Sequence, residues 1–259
     1  MAKFDCVLTA VNNNPLYISY IPNFIKTWKH LFPEVQIKII FINDVLTKDV
    51  EPYSEFITLF KPLERLNTAY IAQYIRLFYP ALLSKEGVLI TDIDIYPMNR
   101  DYFESPTLND CLKNTFISYR PKGCVGKDQI AICYNMASSS MWSKVTGVKT
   151  LEQLKQKLIT NYPINYGELY PYPMDWCRKG WFKDQEVLYE LLVESAIKIK
   201  YVGDKKFCRI DKLNQSISKI TKVIPSIKSG SISDFIPLRK DQKDFEEIND
   251  LVVSSLLKK

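Results

Sequence analysis

Glycine and histidine are scarce in this chain, with 8 Gly and a single His in 259 residues. With so few glycines, neither G-x-G-x-x-G nor G-x-x-x-x-G-K-[ST] occurs, which disfavours a dinucleotide enzyme and a P-loop nucleotidase. With one imidazole, Ser-His-Asp and Cys-His catalysis both depend on His30, and the setting Trp28-Lys29-His30-Leu31 reads as the end of a packed helix. Cysteine is present, yet Cys6, Cys111, Cys124, Cys133, Cys177 and Cys208 form no C-x-x-C pair, so structural zinc is disfavoured and a reducing compartment fits best. No apolar run reaches the ~18 residues that span a bilayer, and the chain enters a strand-like segment without a signal-peptide core. A soluble, cytoplasmic protein without a transmembrane segment is expected.

What the chain does have is apolar and aromatic content, 46% and 13%, enough to offset the ordering entropy that keeps polar chains disordered. The 35 basic and 29 acidic residues leave a net charge of +6, spread along the chain and Lys-rich only from Lys205 onward. Without a basic arm, that charge suggests a small anionic ligand about as readily as nucleic acid.

Through the first hundred residues, strand-like and helix-like segments alternate. Residues 4–11 form an apolar run broken by Asn12-Asn13-Asn14-Pro15, which starts a helix over residues 16–31. Residues 36–42 and 56–60 read as further strands. Asn67 or Thr68 caps a helix over residues 69–83, and Gly87 releases the chain into Val88-Leu89-Ile90-Thr91, apolar on both faces and therefore central in a covered sheet. Such β-then-α units predict a doubly wound α/β fold, in which ligands bind beyond the carboxyl ends of the strands.

Those ends carry Thr9, Val11 and Asn12, then Asn43-Asp44, then Asp92-Ile93-Asp94. In an extended chain residues i and i+2 point the same way, about 6.5–7 Å apart, so the carboxylates of Asp92 and Asp94 converge. Two like charges leaving an apolar strand call for a cation, and a hard divalent ion such as Mn²⁺ or Mg²⁺ is the natural partner. Solvated turn residues before Pro97 are the plainer alternative.

The run Asn67-Thr-Ala-Tyr-Ile-Ala-Gln-Tyr-Ile-Arg76, followed by Val88-Leu-Ile-Thr-Asp-Ile-Asp-Ile-Tyr-Pro97, resembles the core of GT-A-fold D-x-D glycosyltransferases. Its flow is similar to glycosyltransferases of large DNA viruses and bacteria and, more distantly, to the glycogenin and lipopolysaccharide galactosyltransferase group. The resemblance implies a GT-A (Rossmann-like) mixed, mainly parallel sheet with helices on both faces and a C-terminal helical extension. It also implies a metal on Asp92 and Asp94 that holds the diphosphate of a nucleotide sugar. Ala69, Gln73 and Arg76 share a helix face, which gives Arg76 a geometric reason to reach the ligand; a surface arginine is the alternative.

Residues 130–137 read as a buried strand, and the resemblance makes Asn135 at its end a hydrogen-bonding group of the sugar pocket; an Asx-turn cap is the other reading. The stretch Gly180-Trp-Phe-Lys-Asp-Gln-Glu resembles the aromatic–Asp-Gln–helix element of retaining members, in which Asp184 contacts the donor sugar and Gln185 faces its anomeric carbon. Asp184 serves equally well as a helix N-cap. One departure stands out: the third metal ligand of related enzymes is a histidine near the C-terminus, and Ile236 occupies that position, so Asp234 or the diphosphate and water would complete the shell. The basic segment 212–228 with Arg239-Lys240 reads as a lid or a solvated loop, residues 241–259 as an amphipathic terminal helix, and the Tyr/Pro-rich residues 161–176 as an acceptor-contacting loop or a stiffened surface loop.

Domain boundaries are expected at 1–210 for the catalytic domain, its nucleotide-binding half at 1–100 and its acceptor and sugar half at 101–210, with 211–259 packing on it. The expected activity, as the resemblance implies, is metal-dependent transfer from a nucleoside diphosphate sugar, a UDP-sugar above all, to a hydroxyl of a glycan or glycoconjugate, and no nucleic-acid partner is expected. Retention follows if Asp184 and Gln185 act as the resemblance implies, and inversion if Asp175, Asp184 or Glu186 is the base. A catalytically inactive nucleotide- or glycan-binding protein and a sugar nucleotidyltransferase stay open as alternatives. If the chain is viral, the host cytoplasm is its expected site.

Overall fold

The apolar run near the start of the chain becomes β1 (Cys6–Asn12), buried from Cys6 to Val11. In the computed structural model, which describes residues 4–104, 115–120, 128–168, 179–203, 207–211 and 216–258, this strand lies inside the main sheet. Its side chains alternate between two cores: Val7 and Val11 join one, Cys6, Leu8 and Ala10 the other, as a strand covered on both faces requires.

Asn14 caps α1 (Pro15–Ile18), its side chain accepting from the Leu16 amide at 3.0 Å. The single helix expected over residues 16–31 is two helices. Pro22 has no N–H for an intrahelical bond, so the chain turns at Ser19 and restarts as α2 (Ile21–Leu31) with that proline in its first turn. Strands β2 (Gln36–Ile42) and β3 (Ile57–Phe60) follow, then α3 (Thr68–Phe78), capped by the Asn67 side chain on the Ala69 amide at 2.8 Å. α3 stops short of residue 83 because Pro80 ends it, and Tyr79–Leu82 form one tighter turn before β4 (Val88–Ile90).

Beyond β4 come β5 (Tyr96–Pro97), α4 (Arg100–Phe103), β6 (Phe116–Ser118) and β7 (Asn135–Ala137). The strand expected over residues 130–137 is thus confined to its last residues. Asn135 Nδ2 donates back to the carbonyls of Ala131 and Ile132 at 2.7 and 3.0 Å, which folds the preceding chain into a turn, and Tyr134 adopts a φ of 59°. Helices α5 (Ser139–Thr146), α6 (Leu151–Thr160) and α7 (Lys183–Glu194) then lead to β8 (Ile199–Tyr201).

Among the described residues the main sheet has seven strands in the order β3-β2-β1-β4-β7-β6-β8. β3, β2, β1 and β4 are parallel, β7 runs antiparallel to both β4 and β6, and β8 is parallel to β6. This is the mixed, mainly parallel α/β sheet expected. One face packs an aromatic core of Phe24, Trp28, Phe32, Phe103 and Tyr134; the other packs Tyr70, Tyr74, Trp142 and Leu188. His30, exposed in the last turn of α2, has no part in either.

The end of the chain departs from the lid or loop expected for residues 212–228. β9 (Cys208–Ile210) leads to α8 (Ile217–Ser229), whose Ile220 and Ile227 are buried, and residues 212–215 lie outside the described residues. The isoleucine spacing gives this basic stretch an apolar face, and burying it is worth more than keeping the lysines' segment free in water. β10 (Ile232–Phe235) then inserts between β5 and β9 in a small second sheet. α9 (Phe245–Leu257) buries Ile248, Val252 and Leu256 as its periodicity predicts and packs on α8 and α2.

Asn249 ties α9 to the loop after β10, accepting from the Leu238 amide at 2.9 Å and donating to the Leu238 carbonyl at 3.0 Å, all of it buried. Asn249→Ala leaves both backbone groups unpaired and is expected to cost about 2 kcal/mol. A lowered urea midpoint at unchanged slope is the expected reading; an unchanged midpoint contradicts it.

Candidate active site at the strand ends

A cavity of about 310 Å³ opens beyond the carboxyl ends of β1 and β4. Val11 and Asn12 reach it from β1, Gln73 and Arg76 from α3, Asp92 and Asp94 from the turn after β4, and Asp184 and Gln185 from the start of α7. Sheet topology thus gathers segments far apart in sequence at one opening, where α/β folds bind their ligands. Thr9 and Asn135 do not line it. Thr9 is buried behind the wall, and Asn135, also fully buried, shapes the wall through its bonds to Ala131 and Ile132.

Asp92 and Asp94 arrive by a different route from the extended one expected. β4 ends at Ile90, and Ile93-Asp94 forms a turn. Arg76 Nη1 takes the Thr91 carbonyl at 3.2 Å, a backbone group that a continuing strand would use, and also binds the Asp92 carboxylate. Arg76 itself is 8% exposed: Nε donates to the Gln73 carbonyl at 3.2 Å, and Nη2 faces Asp184 Oδ2 at 3.6 Å. Burial alone would lower its pKa, but the carboxylates of Asp92 and Asp184 outweigh that and hold it above the usual value.

Asp184 does not cap α7. Phe182 holds the cap position without a side-chain bond, and Asp184 lies in the first turn, its Oδ1 accepting from the Gln185 amide at 2.9 Å. Its Oδ2 is buried without a hydrogen bond, as is Gln185 Oε1. Gln185 Oε1 is therefore an acceptor in want of a donor, while Asp184 Oδ2 has the Arg76 guanidinium 3.6 Å away. Burial raises the Asp184 pKa from 3.8 to about 7, with Arg76 opposing and Asp92 adding to the rise.

Gln73 serves the rim of the cavity. Its Nε2 donates to the Trp181 carbonyl at 2.7 Å and its Oε1 accepts from Tyr166 at 3.0 Å, so one side chain clips the two rim aromatics to α3. Asn12 Nδ2 donates to Thr68 Oγ1 at 3.1 Å, joining β1 to the start of the same helix. Of the Tyr/Pro-rich stretch, Tyr166 lines the cavity, while residues 169–178, Asp175 among them, lie outside the described residues.

Two lining residues, Tyr17 and Arg209, carried no signal in the sequence, whereas Trp181 belongs to the aromatic–Asp-Gln element and Cys133 to the run at residues 130–137. Ile236, at the position where the resemblance implies a histidine, does line the cavity. Asp234 is not free to complete a metal shell, because it is fully buried and paired with both Arg120 and Arg209. Among the described residues no group of three or more His, Cys, Asp or Glu side chains is placed to hold a metal. The donor set is two carboxylates, Asp92 and Asp94. That fits a hard divalent ion that draws its other ligands from a substrate and water, and does not fit an all-protein cage.

No protein-family model and no curated protein sequence matches the chain. Solved structures do. The galactosyltransferase LgtC, in complex with donor and acceptor sugar analogues, matches with a TM-score of 0.50 and 12% identity, over 96% of this chain and 95% of that one. The apo form of the glycosyltransferase GlyE of Streptococcus pneumoniae matches with a TM-score of 0.51 and 15% identity, over 98% of this chain and 62% of that one. At such identities the likeness establishes the fold. The chain has the GT-A architecture of glycosyltransferases, and no helix among the described residues is long and apolar enough to cross a membrane.

The raised Asp184 pKa has a consequence for stability. The unfolded chain loses this proton near pH 4 and the folded chain near pH 7, so between them the folded state binds more protons. Stability contributed by Asp184 is full below that window and falls as pH rises through it. Asp184→Asn is expected to abolish the decline, and urea unfolding at the two ends of the window measures it. An equal pH slope in variant and wild type contradicts the assignment.

Proposed function

We propose that the chain is a metal-dependent glycosyltransferase that moves a sugar from a nucleoside diphosphate sugar, expected to be a UDP-sugar, to a hydroxyl of a glycan or glycoconjugate. The observation that carries this reading is the convergence, in one cavity of a GT-A fold, of Asp92 and Asp94 with Asp184 and the unpartnered oxygen of Gln185. Glycosyl transfer is what the solved relatives of this architecture are named for.

In this reading Asp92 and Asp94 hold Mn²⁺ or Mg²⁺, which supplies positive charge to the departing diphosphate. Val11 and Asn12 bound the nucleoside end of the cavity. Arg76 holds Asp92 in place, a role made inside the protein and not on the ligand. The buried acceptor Gln185 Oε1, beside the Asp184 carboxyl that Arg76 holds, takes a sugar hydroxyl as donor, which fixes the ring against α7. One solved form of LgtC carries an active-site glutamine changed to glutamate, so a glutamine has a place in that enzyme's site. We assign to Gln185 the task of orienting the anomeric centre in a retaining reaction. An inverting reaction would instead use Asp184 as base, and its pKa near 7 suits that role. Product stereochemistry by NMR separates the two.

A second reading, a nucleotide- or glycan-binding protein without turnover, draws on Ile236, an apolar group lining the cavity where the resemblance implies a histidine ligand. Release of UDP from a panel of UDP-sugars discriminates the two, since a binder releases none. Calorimetry is expected to detect UDP binding that strengthens with Mn²⁺ and weakens at least about tenfold in Asp94→Ala, the scale of one lost charge-assisted contact. Metal-independent binding, or binding unchanged in that variant, would sink the proposal. Gln185→Ala is expected to keep UDP affinity and lower turnover by about a hundredfold, as loss of one transition-state contact does.

A further inference from the structure

Two arginines line the cavity among the described residues, and they are used differently. Arg76 is surrounded by protein oxygens: the carbonyls of Gln73 and Thr91 and the carboxylates of Asp92 and Asp184. At 8% exposure it has little left to offer a ligand. Arg209 is held from one side only. Its Nε and Nη2 both meet Asp234 Oδ2, at 2.7 and 2.6 Å, and Nη2 lies 3.8 Å from Cys133 Sγ. Nη1 makes no hydrogen bond among the described residues, and the side chain keeps 20% exposure.

The group behind Arg209 explains its orientation. Asp234 is fully buried on β10 and binds Arg120 as well, while Ser233 Oγ donates to its Oδ1 at 2.5 Å and accepts from Arg120 Nη2 at 2.9 Å. Of Arg120, Asp234 and Arg209, only Arg209 lines the cavity. A planar guanidinium already fixed on one edge loses little freedom when its other edge meets an oxyanion.

We propose that Arg209 recognises an oxyanion of the ligand bound in this cavity, a phosphate of the nucleotide or a carboxylate of a sugar, and that the buried Arg120–Asp234 pair aims it. The oxyanion role would hold for any anionic ligand of the cavity, whereas its description as part of a sugar-transfer donor rests on the function proposed above.

The test compares wild type, Arg209→Gln and Arg209→Lys by calorimetry with uridine, UDP, UDP-glucose and UDP-glucuronic acid in the presence of Mn²⁺, and with inorganic pyrophosphate without metal. Arg209→Gln is expected to lose about ten- to a hundredfold affinity for the anionic probes, with uridine binding unchanged as the control for folding and Arg209→Lys recovering part of the loss. An equal loss for UDP and UDP-glucose assigns the contact to a phosphate, and a loss confined to UDP-glucuronic acid assigns it to the sugar carboxylate. If no uridine nucleotide binds wild type but pyrophosphate binds and is lost in Arg209→Gln, the oxyanion site stands while the donor reading fails. Equal affinities of wild type and Arg209→Gln for every anion, or no anion binding at all, overturn the proposal.

Discussion

A guanidinium buried at the end of the sheet organises the walls of the cavity. An unpaired charge in that position would cost many kcal/mol, so every segment near Arg76 has to supply it with oxygen. α3 gives a backbone carbonyl, the residue after β4 another, Asp92 a carboxylate, and α7 the buried Asp184. Satisfying one cation therefore sets the relative placement of a helix, a strand end and a second helix. Asp92 and Asp184 lie close enough to share Arg76, and the second of them is driven toward neutrality because burial outweighs the attraction of its partner.

A complementary cluster stands elsewhere on the same cavity. In the first, two carboxylates share one arginine; in the second, Arg120 and Arg209 share Asp234. The cavity wall thus carries an acidic part suited to a divalent cation and a basic part suited to an oxyanion. A charged nucleotide bound with its metal presents both, so the two clusters suit one ligand better than either would alone. At the mouth, Gln73 holds Tyr166 and Trp181 in place, and Trp181 stays 47% exposed, a ring face available at the rim.

Much of the frame was legible before any coordinates. The strands β1 and β2 and the helices α2 and α3 follow from apolar periodicity, and Asn14 and Asn67 announce helix starts because their side chains meet the amides two residues on. Where local reading failed, a local reason was usually present but misweighed. Pro22 and Pro80 shorten helices that apolar spacing alone would continue. The apolar run at residues 130–137 looked like a strand because hydrophobicity does not distinguish a buried strand from a buried turn, and the decision lay with the Asn135 side chain. Residues 212–228 read as a lid or a solvated loop because their lysines mask the isoleucine stripe of α8.

The identity of the acidic pair, the glycine-poor strand ends and the helix face bearing Arg76 are properties of short stretches, and the order of residues along the chain is enough to state them. The partners of Arg76 and Arg209 are not of that kind. Asp184 and Asp92 are separated by long intervening chain, as are Arg120 and Asp234, and they meet because β7 turns back between β4 and β6 and β10 inserts between β5 and β9. Periodicity encodes which face of an element is buried, whereas strand order decides which buried faces meet. Hence Arg76 could be marked from the sequence as a residue of the site, but only the packed fold turned it inward as a tie and left Arg209 facing the ligand space.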